Sequence, residues 1–581
     1  MTIEFDGRPV PAEPSQSVGA ALWSAGIRSW RTTRIGGAPR GIFCGIGACF
    51  DCLAIIDGKP GQRACLAAAR PGTVVSSGLG GAPGSARPAT PPARSKASAA
   101  ASEARARSEA PNRSGALAAA RHDVAVVGAG PAGLAAAATA ALAGCRVVLL
   151  DSAPSPGGQF WRHREGEAGN HGYRDWSVFS GLRSIVEERV DYIAGATVWF
   201  AGAERAPTSQ PGFALHTAAG RFEAERLVLA TGAYDRALPF PGWDLPGVVT
   251  PGAAQALLKG SGVALGREVV VAGAGPFLLP VAVALADAGI RVVGVYEAGD
   301  PGGYLSRPGT LATAAAKLGE AAGYAAALAR HRVPYRVRRI VVAAHGTGSV
   351  SGVDIARLDR HGQLVPGSIE RVRCDAVAVG YGFTANLELA LSLGCSTRVG
   401  ADGGLAVMVN ADGQTSVPGL FAAGEVTGVG GALLAVAEGE LAGAAAARVV
   451  ATEPALSRRE LAALRRRGAR LREFAEAMHG AHTVPAGWTA WLEETTIVCR
   501  CEDVTYGRIV QAVTDLGASD ARTVKLLARP GMGWCQGRVC GFATANVTAM
   551  LCGRAVRPAD LAAFAHRPLA APVPLGDLAQ G

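Results

Sequence analysis

DVAVVGAGPAGLAAAATAALAGCRVVLLD, residues 123–151, decides how this chain is read. An apolar run leads into GAGPAG, a long Ala-rich stretch follows, and a second apolar run ends on an acid. The pattern predicts strand, glycine turn, helix and second strand. The three glycines have separate roles. Gly128 permits a tight turn, Gly130 lets the backbone approach a pyrophosphate, and Gly133 lets helix and strand pack closely. The helix start at Pro131 offers phosphate the positive end of its dipole and the unpaired N–H groups that follow the proline, Ala132 first. Asp151 stands where a ribose hydroxyl would donate to it. A glycine turn without ligand would not need all five features in this order. A weak echo, VVVAGAGPFLL at 269–279, repeats VAVVGAGPAG of 124–133 and predicts a second dinucleotide-type unit.

Working outward, the 581 residues are too many for one ordinary domain. With 49% hydrophobic residues, 6% aromatic and 78 Gly, the chain is neither disordered nor, lacking a three-residue glycine period, collagen-like. Abundant Ala and Gly fit closely packed α/β units. The apolar runs at 132–144 and 278–286 are too short to span a bilayer, and the run at 428–450 is broken by Glu438 and Glu440. MTIEFDGRPVPAEP at the start has no apolar signal core, so a cytoplasmic protein is expected. The net charge of +10 is localised: residues 81–121 carry seven Lys/Arg against two Glu. A second basic run, SRRELAALRRRGARLREF at 457–474, has helical spacing and reads as a solvated face. Neither run has aromatic interleaving or a recognition motif, so no nucleic-acid partner is expected.

Three later segments resemble those of two-domain flavoproteins and point to FAD. PGGQFWR at 156–162 supplies Gly158 and Gln159 beside a flavin, LVLATGAYDR at 227–236 supplies Thr231 and Gly232 at a strand end, and VPGLFAAGEV at 417–426 supplies Gly424 and Glu425. The acid of the last segment would bind the ribitol, with Glu425 where Asp is commoner. In the second glycine motif Gly273 and Gly275 are kept, but Leu278 replaces the third glycine and would push the helix from the strand. Glu297, ending RVVGVYE, would favour a 2′-hydroxyl. A merely structural unit, an adenine nucleotide such as ATP, and functional NAD(H) all remain open there.

Eight of the 12 cysteines form two groups of four. Clustered thiols in an intracellular chain mean metal or redox chemistry. Cys44, Cys49, Cys52 and Cys65 are spaced C-x4-C-x2-C-x12-C, which begins as ferredoxin [2Fe–2S] ligation does; zinc loops favour closer pairs. Gly45 and Gly47 free backbone N–H groups for cluster sulfur. Cys499, Cys501, Cys535 and Cys540 form C-x-C and C-x4-C pairs, open to a [2Fe–2S] cluster, zinc or a thiol redox pair. This group resembles the bacterioferritin-associated ferredoxin domain, although its last pair is wider. Cys145, Cys374, Cys395 and Cys552 read as packed core thiols, and none makes a redox CxxC. His163 is the one histidine near the flavin loop, and it reads as a surface residue.

FCGIGACFDC, VVGAGPAGLAAA, GGQFWR, ATGAYDRALPFPGWDLPGV, CDAVAVGYGF, GLFAAGEV, VCRCEDVT and MGWCQGRVC together resemble one family. It is the FAD-containing α subunits of bacterial heteromeric amino-acid and opine dehydrogenases, a group that includes opine oxidase, D-hydroxyproline dehydrogenase, dye-linked proline dehydrogenase and hydrogen cyanide synthase. The likeness covers all but a tether and the final tail, and it looks like a fusion with the small ferredoxin-like subunit. It implies an α/β two-dinucleotide-domain flavoprotein of glutathione-reductase type, with a β-grasp ferredoxin-like domain in front and a helical four-cysteine domain behind. The expected organisation starts with a ferredoxin-like domain at 1–79 and a disordered linker at 80–120. The FAD-binding domain takes 121–240 and, after a second nucleotide unit at 241–369, resumes at 370–455. A basic helical connector at 456–490 then leads to a second [2Fe–2S] domain at 491–565. The resemblance further implies an electron-transferring subunit whose amine-oxidising site lies on a D-amino-acid-oxidase-like β flavoprotein. The acceptor would be a quinone, reached at the inner membrane face through the complex. No catalytic residue is assigned in this chain. The competing functions are a self-sufficient NAD(P)H-dependent ferredoxin- or nitrite-reductase-like enzyme and a non-catalytic iron–sulfur scaffold.

Overall fold

Strand Arg121–Val127 passes through a three-residue turn into helix Pro131–Leu142, and strand Val147–Leu150 returns beside the first. The computed structural model describes residues 1–78, 121–164, 174–205, 211–300, 302, 315–448 and 454–579; the tether expected at 80–120 lies outside the described residues. The sheet runs in the order Asp191–Ile193, Val147–Leu150, Arg121–Val127, Gly220–Leu229, Pro211–Thr217, Phe200–Arg205. Strand Leu420–Ala422 adds parallel to the end of Gly220–Leu229. Residues 420–447 therefore return to the first unit after the chain has built the second.

Close backbone approach explains the Ala/Gly-rich composition. A Cβ on Gly133 would sit 1.7 Å from the Gly128 carbonyl oxygen. Helix Ala432–Ala447 crosses Pro131–Leu142 equally tightly: Cβ atoms on Gly439 and Gly443 would meet the carbonyl oxygens of Ala132 and Ala136 at 2.1 and 2.4 Å. Larger side chains would separate these helices and open the core beneath the first glycine turn.

The second unit is a parallel sheet, Val248–Val249, Ala376–Tyr381, Glu268–Ala274, Arg291–Glu297, Tyr335–Val337. Its motif departs from the first as Leu278 requires, but by a different route from the displacement expected. The helix begins only at Leu278, two residues later in the motif than Pro131 begins the first helix. The Leu278 and Leu279 N–H groups bond three residues back to Gly275 and Pro276, tightening the entry into a 3₁₀-like turn. Leu278 is then buried.

The first 78 residues form a five-stranded sheet, Arg8–Pro11, Thr2–Phe5, Val74–Ser76, Leu53–Ile56, Lys59–Arg63. Helix Val18–Ser24 packs under it, its start capped by Ser17, whose Oγ accepts from the Ala20 N–H (3.1 Å). At the other end, the basic run forms helix Arg458–Ala481 behind a Ser457/Glu460 capping box. Its arginines are less solvated than expected. Arg465 clasps Asp412 with two bonds of 2.8 and 2.9 Å, and Arg472 binds the Gly428 carbonyl (2.7 Å) and pairs with Glu438. The helix is pinned to the Gly424–Gly431 segment. Hairpin Ile497–Cys499/Val504–Thr505 and helices Tyr506–Thr514, Ala521–Ala528, Gly541–Leu551 and Pro558–Ala565 complete the described chain, apart from a final turn at Leu575–Leu578.

Candidate functional site

A cavity of about 1390 Å³ opens at the carboxyl ends of the parallel strands of both sheets. It is lined by Gly128, Gly130, Pro131, Ala132, Asp151, Gly158, Gln159, Thr231, Gly232, Gly424 and Glu425. The sequence-derived cofactor residues thus converge, except Gly133, which lies beneath the wall where helix meets strand. Gly130 is the open point of the cradle: among the described residues, a Cβ there would find no neighbour nearer than Gly158 Cα at 4.0 Å. Room for phosphate against bare backbone is what a dinucleotide needs.

Asp151 braces the glycine turn. The Ala129 N–H donates to its Oδ2 (2.5 Å) and the Ala153 N–H to its Oδ1 (2.8 Å). Burial raises its pKa, and these bonds offset that only in part. Glu425 faces the other end. Its carboxylate accepts from the Gly430 (3.1 Å) and Gly431 (2.8 Å) N–H groups, just ahead of helix Ala432–Ala447. The extra methylene relative to Asp lets it fold back onto this turn. Burial pushes its pKa up to about 7 despite the two bonds. Glu438 accepts from the Gly424 N–H (2.9 Å) and the Thr427 hydroxyl (3.0 Å), fixing the segment from behind.

The cavity continues to Gly275, Pro276, Phe277 and Leu278. Glu297 repeats the bracing role of Asp151: it accepts from the N–H groups of Gly275 (3.2 Å) and Gly299 (2.8 Å), and His482 Nδ1 lies 3.4 Å away.

Sequence reading missed Asp235 and Tyr381. Both line the cavity. Asp235 accepts from the Thr250 hydroxyl (2.9 Å) and the Gly252 N–H (3.2 Å), and burial raises its pKa to about 6. Tyr381 is buried, and its hydroxyl has no hydrogen-bond partner among the described residues. Only the position of Asp235 at the end of the short strand Ala233–Asp235 could have singled it out. His163 is not a surface residue as expected: it is half-buried, its ring 5.2 and 5.3 Å from Trp176 and Phe179, its Nδ1 2.7 Å from the Trp161 carbonyl oxygen. Cys145, Cys374 and Cys395 are buried as core thiols, and Cys552 is half-buried.

The eight remaining cysteines meet as two sets. Among the described residues, no three or more His, Cys, Asp or Glu gather so as to hold a single metal ion. Within each set the thiols lie against one another. All eight are free thiols; Cys44 interacts with Cys49 and Cys52 with Cys65, while in the other set Cys499 interacts with both Cys501 and Cys540, and Cys501 with Cys535. Burial pushes the Cys44 thiol up, but the Cys49 thiol and the N–H groups of Ile46, Cys49 and Ala48 outweigh it and bring its pKa to about 7. The Cys499 thiol is likewise driven well below its ordinary value, by Cys501 and Cys540. Four thiols per set, with N–H donors around Cys44 and Cys499, suit a two-iron cluster, each iron taking two sulfurs.

Both cysteine loops reach the cavity's walls. Gly45 abuts Ala253 on helix Pro251–Ser261, and Ile46 lines the cavity; from the other module Arg538, Phe542 and Asn546 do. The segment PFPGWDLPGV is the socket for both. Trp243 Nε1 donates to the Ile497 carbonyl (2.6 Å), Trp491 Nε1 donates to the Pro239 carbonyl (3.1 Å), and Phe43 packs edge-on against Trp243 at 5.6 Å. Arg538 and Arg567 close on the buried Glu388 at 2.9 and 3.0 Å.

A dinucleotide cradle walled by two cysteine-loop modules defines an FAD-dependent oxidoreductase that carries two [2Fe–2S]-binding domains. The pyridine nucleotide-disulphide oxidoreductase model matches residues 122–447, and the chain belongs to that family. A 2Fe-2S iron-sulfur cluster binding domain matches residues 1–78, and a BFD-like [2Fe-2S] binding domain matches 497–548. An opine oxidase subunit from Agrobacterium tumefaciens (strain Ach5) is 32% identical over 487 residues, 79% of this chain and 91% of that one. Hydrogen cyanide synthase subunit HcnB of Pseudomonas aeruginosa is 32% identical, covering 71% and 90%. The crystal structure of L-proline dehydrogenase from P. horikoshii shares the fold, with a TM-score of 0.68 over 100% of this chain and 97% of that one at 19% identity. No helix among the described residues is long and apolar enough to cross a membrane.

Proposed function

We propose that this chain is the electron-transferring FAD and iron–sulfur subunit of a heteromeric dehydrogenase that oxidises a secondary or α-amino acid. Hydroxyproline, proline, opine, sarcosine or glycine types are the substrate class, and the amine-oxidising site lies on a separate D-amino-acid-oxidase-like flavoprotein. The relatives named as opine oxidase and hydrogen cyanide synthase subunits support the class. The observation that carries the reading is the shared wall: flavin-cradle residues and both cysteine modules line one cavity.

FAD, when bound, supplies a carrier that takes two electrons and releases them singly. Gly128, Gly130, Pro131 and Ala132 would hold its pyrophosphate, with Gly133 keeping the helix close enough to do so. Asp151 would orient the ribose, while Gly158, Gln159, Thr231, Gly232, Gly424 and Glu425 would frame the flavin. Cys44, Cys49, Cys52 and Cys65 would hold one [2Fe–2S] cluster, and Cys499, Cys501, Cys535 and Cys540 the other. Apolar Ile46 and Phe542, one from each cysteine module, line the cavity wall. An adenine nucleotide, ATP or NAD, at Gly275–Leu278 is included in the proposal. Its support is the continuous cavity and the braced Glu297, although the shortened helix entry offers phosphate fewer N–H groups than the first motif does. The electron acceptor is proposed to be a quinone.

The test compares reductants under anaerobic conditions. Purified with its proposed β partner, the protein's flavin should be reduced by an amino acid of the stated class, and the isolated chain only slowly by NADH or NADPH. Rapid stoichiometric bleaching of the isolated chain by NADH would establish the NAD(P)H-dependent reductase instead.

A further inference from the structure

Phe50 and Asp51 stand between the second and third cysteines of the N-terminal set, and Arg500 stands between the first pair of the C-terminal set. The fold brings Asp51 and Arg500 together. Arg500 Nε donates to Asp51 Oδ2 at 2.8 Å, with side chains only 4% and 1% exposed. Arg500 also donates to the Trp243 carbonyl (2.7 Å) and lies over the rings of Phe43 (4.1 Å) and Trp243 (5.0 Å). Arg40 donates twice to the Arg500 carbonyl (3.3 Å each) and pairs with Asp503 (3.2 Å) and Asp244 (3.4 Å). Arg31 donates to the Asp51 and Phe50 carbonyls (2.6 and 3.1 Å). The ligand loops themselves touch: the Cys501 sulfur lies 3.9 Å from the Cys49 carbonyl oxygen, and Phe50 and Leu53 pack against Cys535.

Sealing charges in such an interface is expensive, and an apolar pair of similar volume would hold two modules together as well or better. What an apolar pair lacks is a field. In a poorly screened interior a full charge strongly biases a redox centre beside it, and the potentials of iron–sulfur clusters follow local charge. We propose that the two clusters form one directly coupled pair, and that Arg500, reaching from the C-terminal module, is a positioning residue whose charge balances Asp51 beside the N-terminal cluster. The inference rests on both cysteine groups holding [2Fe–2S] clusters. In the coupled step one electron leaves the reduced cluster, which is oxidised, and reduces its neighbour; no bond breaks and no proton moves.

Two measurements on the full chain test this. With four irons per chain and both clusters reduced, electron paramagnetic resonance should show magnetic interaction between them, and Cys501→Ser should abolish that interaction while sparing the N-terminal signal. A redox titration should then place the N-terminal cluster of Arg500→Gln at a more negative potential than wild type, and that of Asp51→Asn at a more positive one. The double variant should return toward wild type, and Arg500→Lys, which keeps the charge, should stay near it. Absent interaction with four irons present overturns the coupling. Shifts of the same sign in both single variants, or loss of N-terminal iron even in Arg500→Lys, reduce the pair to a structural clamp and overturn the charge role. Two irons with zinc at the C-terminal site would instead refute the two-cluster reading on which it rests.

Discussion

Replacing Gly130 by valine separates binding from folding more cleanly than any other change in the cradle. The backbone here is extended (φ −77°, ψ −173°), which an L side chain adopts without strain, and the nearest atom to a Cβ is Gly158 Cα at 4.0 Å. The apo chain should keep its stability to within about 1 kcal/mol, as for substitutions that neither open cavities nor clash. The new methyls occupy the one place where a pyrophosphate can reach bare backbone. Losing two charge-assisted bonds from N–H to phosphate, each worth roughly 1.5–3 kcal/mol, weakens FAD by about two to four powers of ten. The assay is flavin absorbance after purification and titration of the apo chain with FAD, beside a thermal melt of the apo form and the cluster spectrum as internal standard. Normal flavin content would refute the cradle assignment. Unfolding of the apo chain would refute the claim that Gly130 faces open space.

Gly133→Ala should behave in the opposite way. Its Cβ would lie 1.7 Å from the Gly128 oxygen, so the helix must shift, costing about 1–3 kcal/mol or more in the apo melt. Cys49→Ser and Cys501→Ser should each remove one cluster signal and about two of roughly four irons per chain, measured by iron assay and paramagnetic resonance. Glu425 should make the apo chain pH-dependent. Its folded pKa, about 7, is raised from the ordinary 4.5, so its contribution is fully present below pH 4.5 and is lost as pH rises through 7. Relative to Glu425→Gln, wild-type stability should therefore fall between pH 5 and pH 8, by an amount on the order of 3 kcal/mol. Equal pH profiles in melts of the two proteins would exclude Glu425 as the source.

The sequence alone settled the features encoded within a few residues of one another. The turn at Gly128–Gly133, the strand–helix–strand around it and the acid at Asp151 follow from local backbone geometry, so spacing reveals them. The same holds for Cys44, Cys49 and Cys52, which share one short loop, whereas Cys499 and Cys501 meet Cys535 and Cys540 only through the fold. Even the weak second motif announced its own irregularity through Leu278, although only the structure showed a late, tightened helix start rather than a displaced helix. Tertiary structure decided everything that depends on docking. Asp51 and Arg500 are 449 residues apart, and no periodicity links them. Arg465 and Arg472 looked solvated because helical spacing alone does not reveal the carboxylates of Asp412 and Glu438 waiting on another element. Glu425 could be read as an acid near the flavin, but its turn toward Gly430 and Gly431, and the pKa that results, depend on a burial that no local pattern carries. Short-range geometry is written in residue spacing; the pairing of distant surfaces is a property of the packed interior, where desolvation makes each charge seek a partner wherever the chain has brought one.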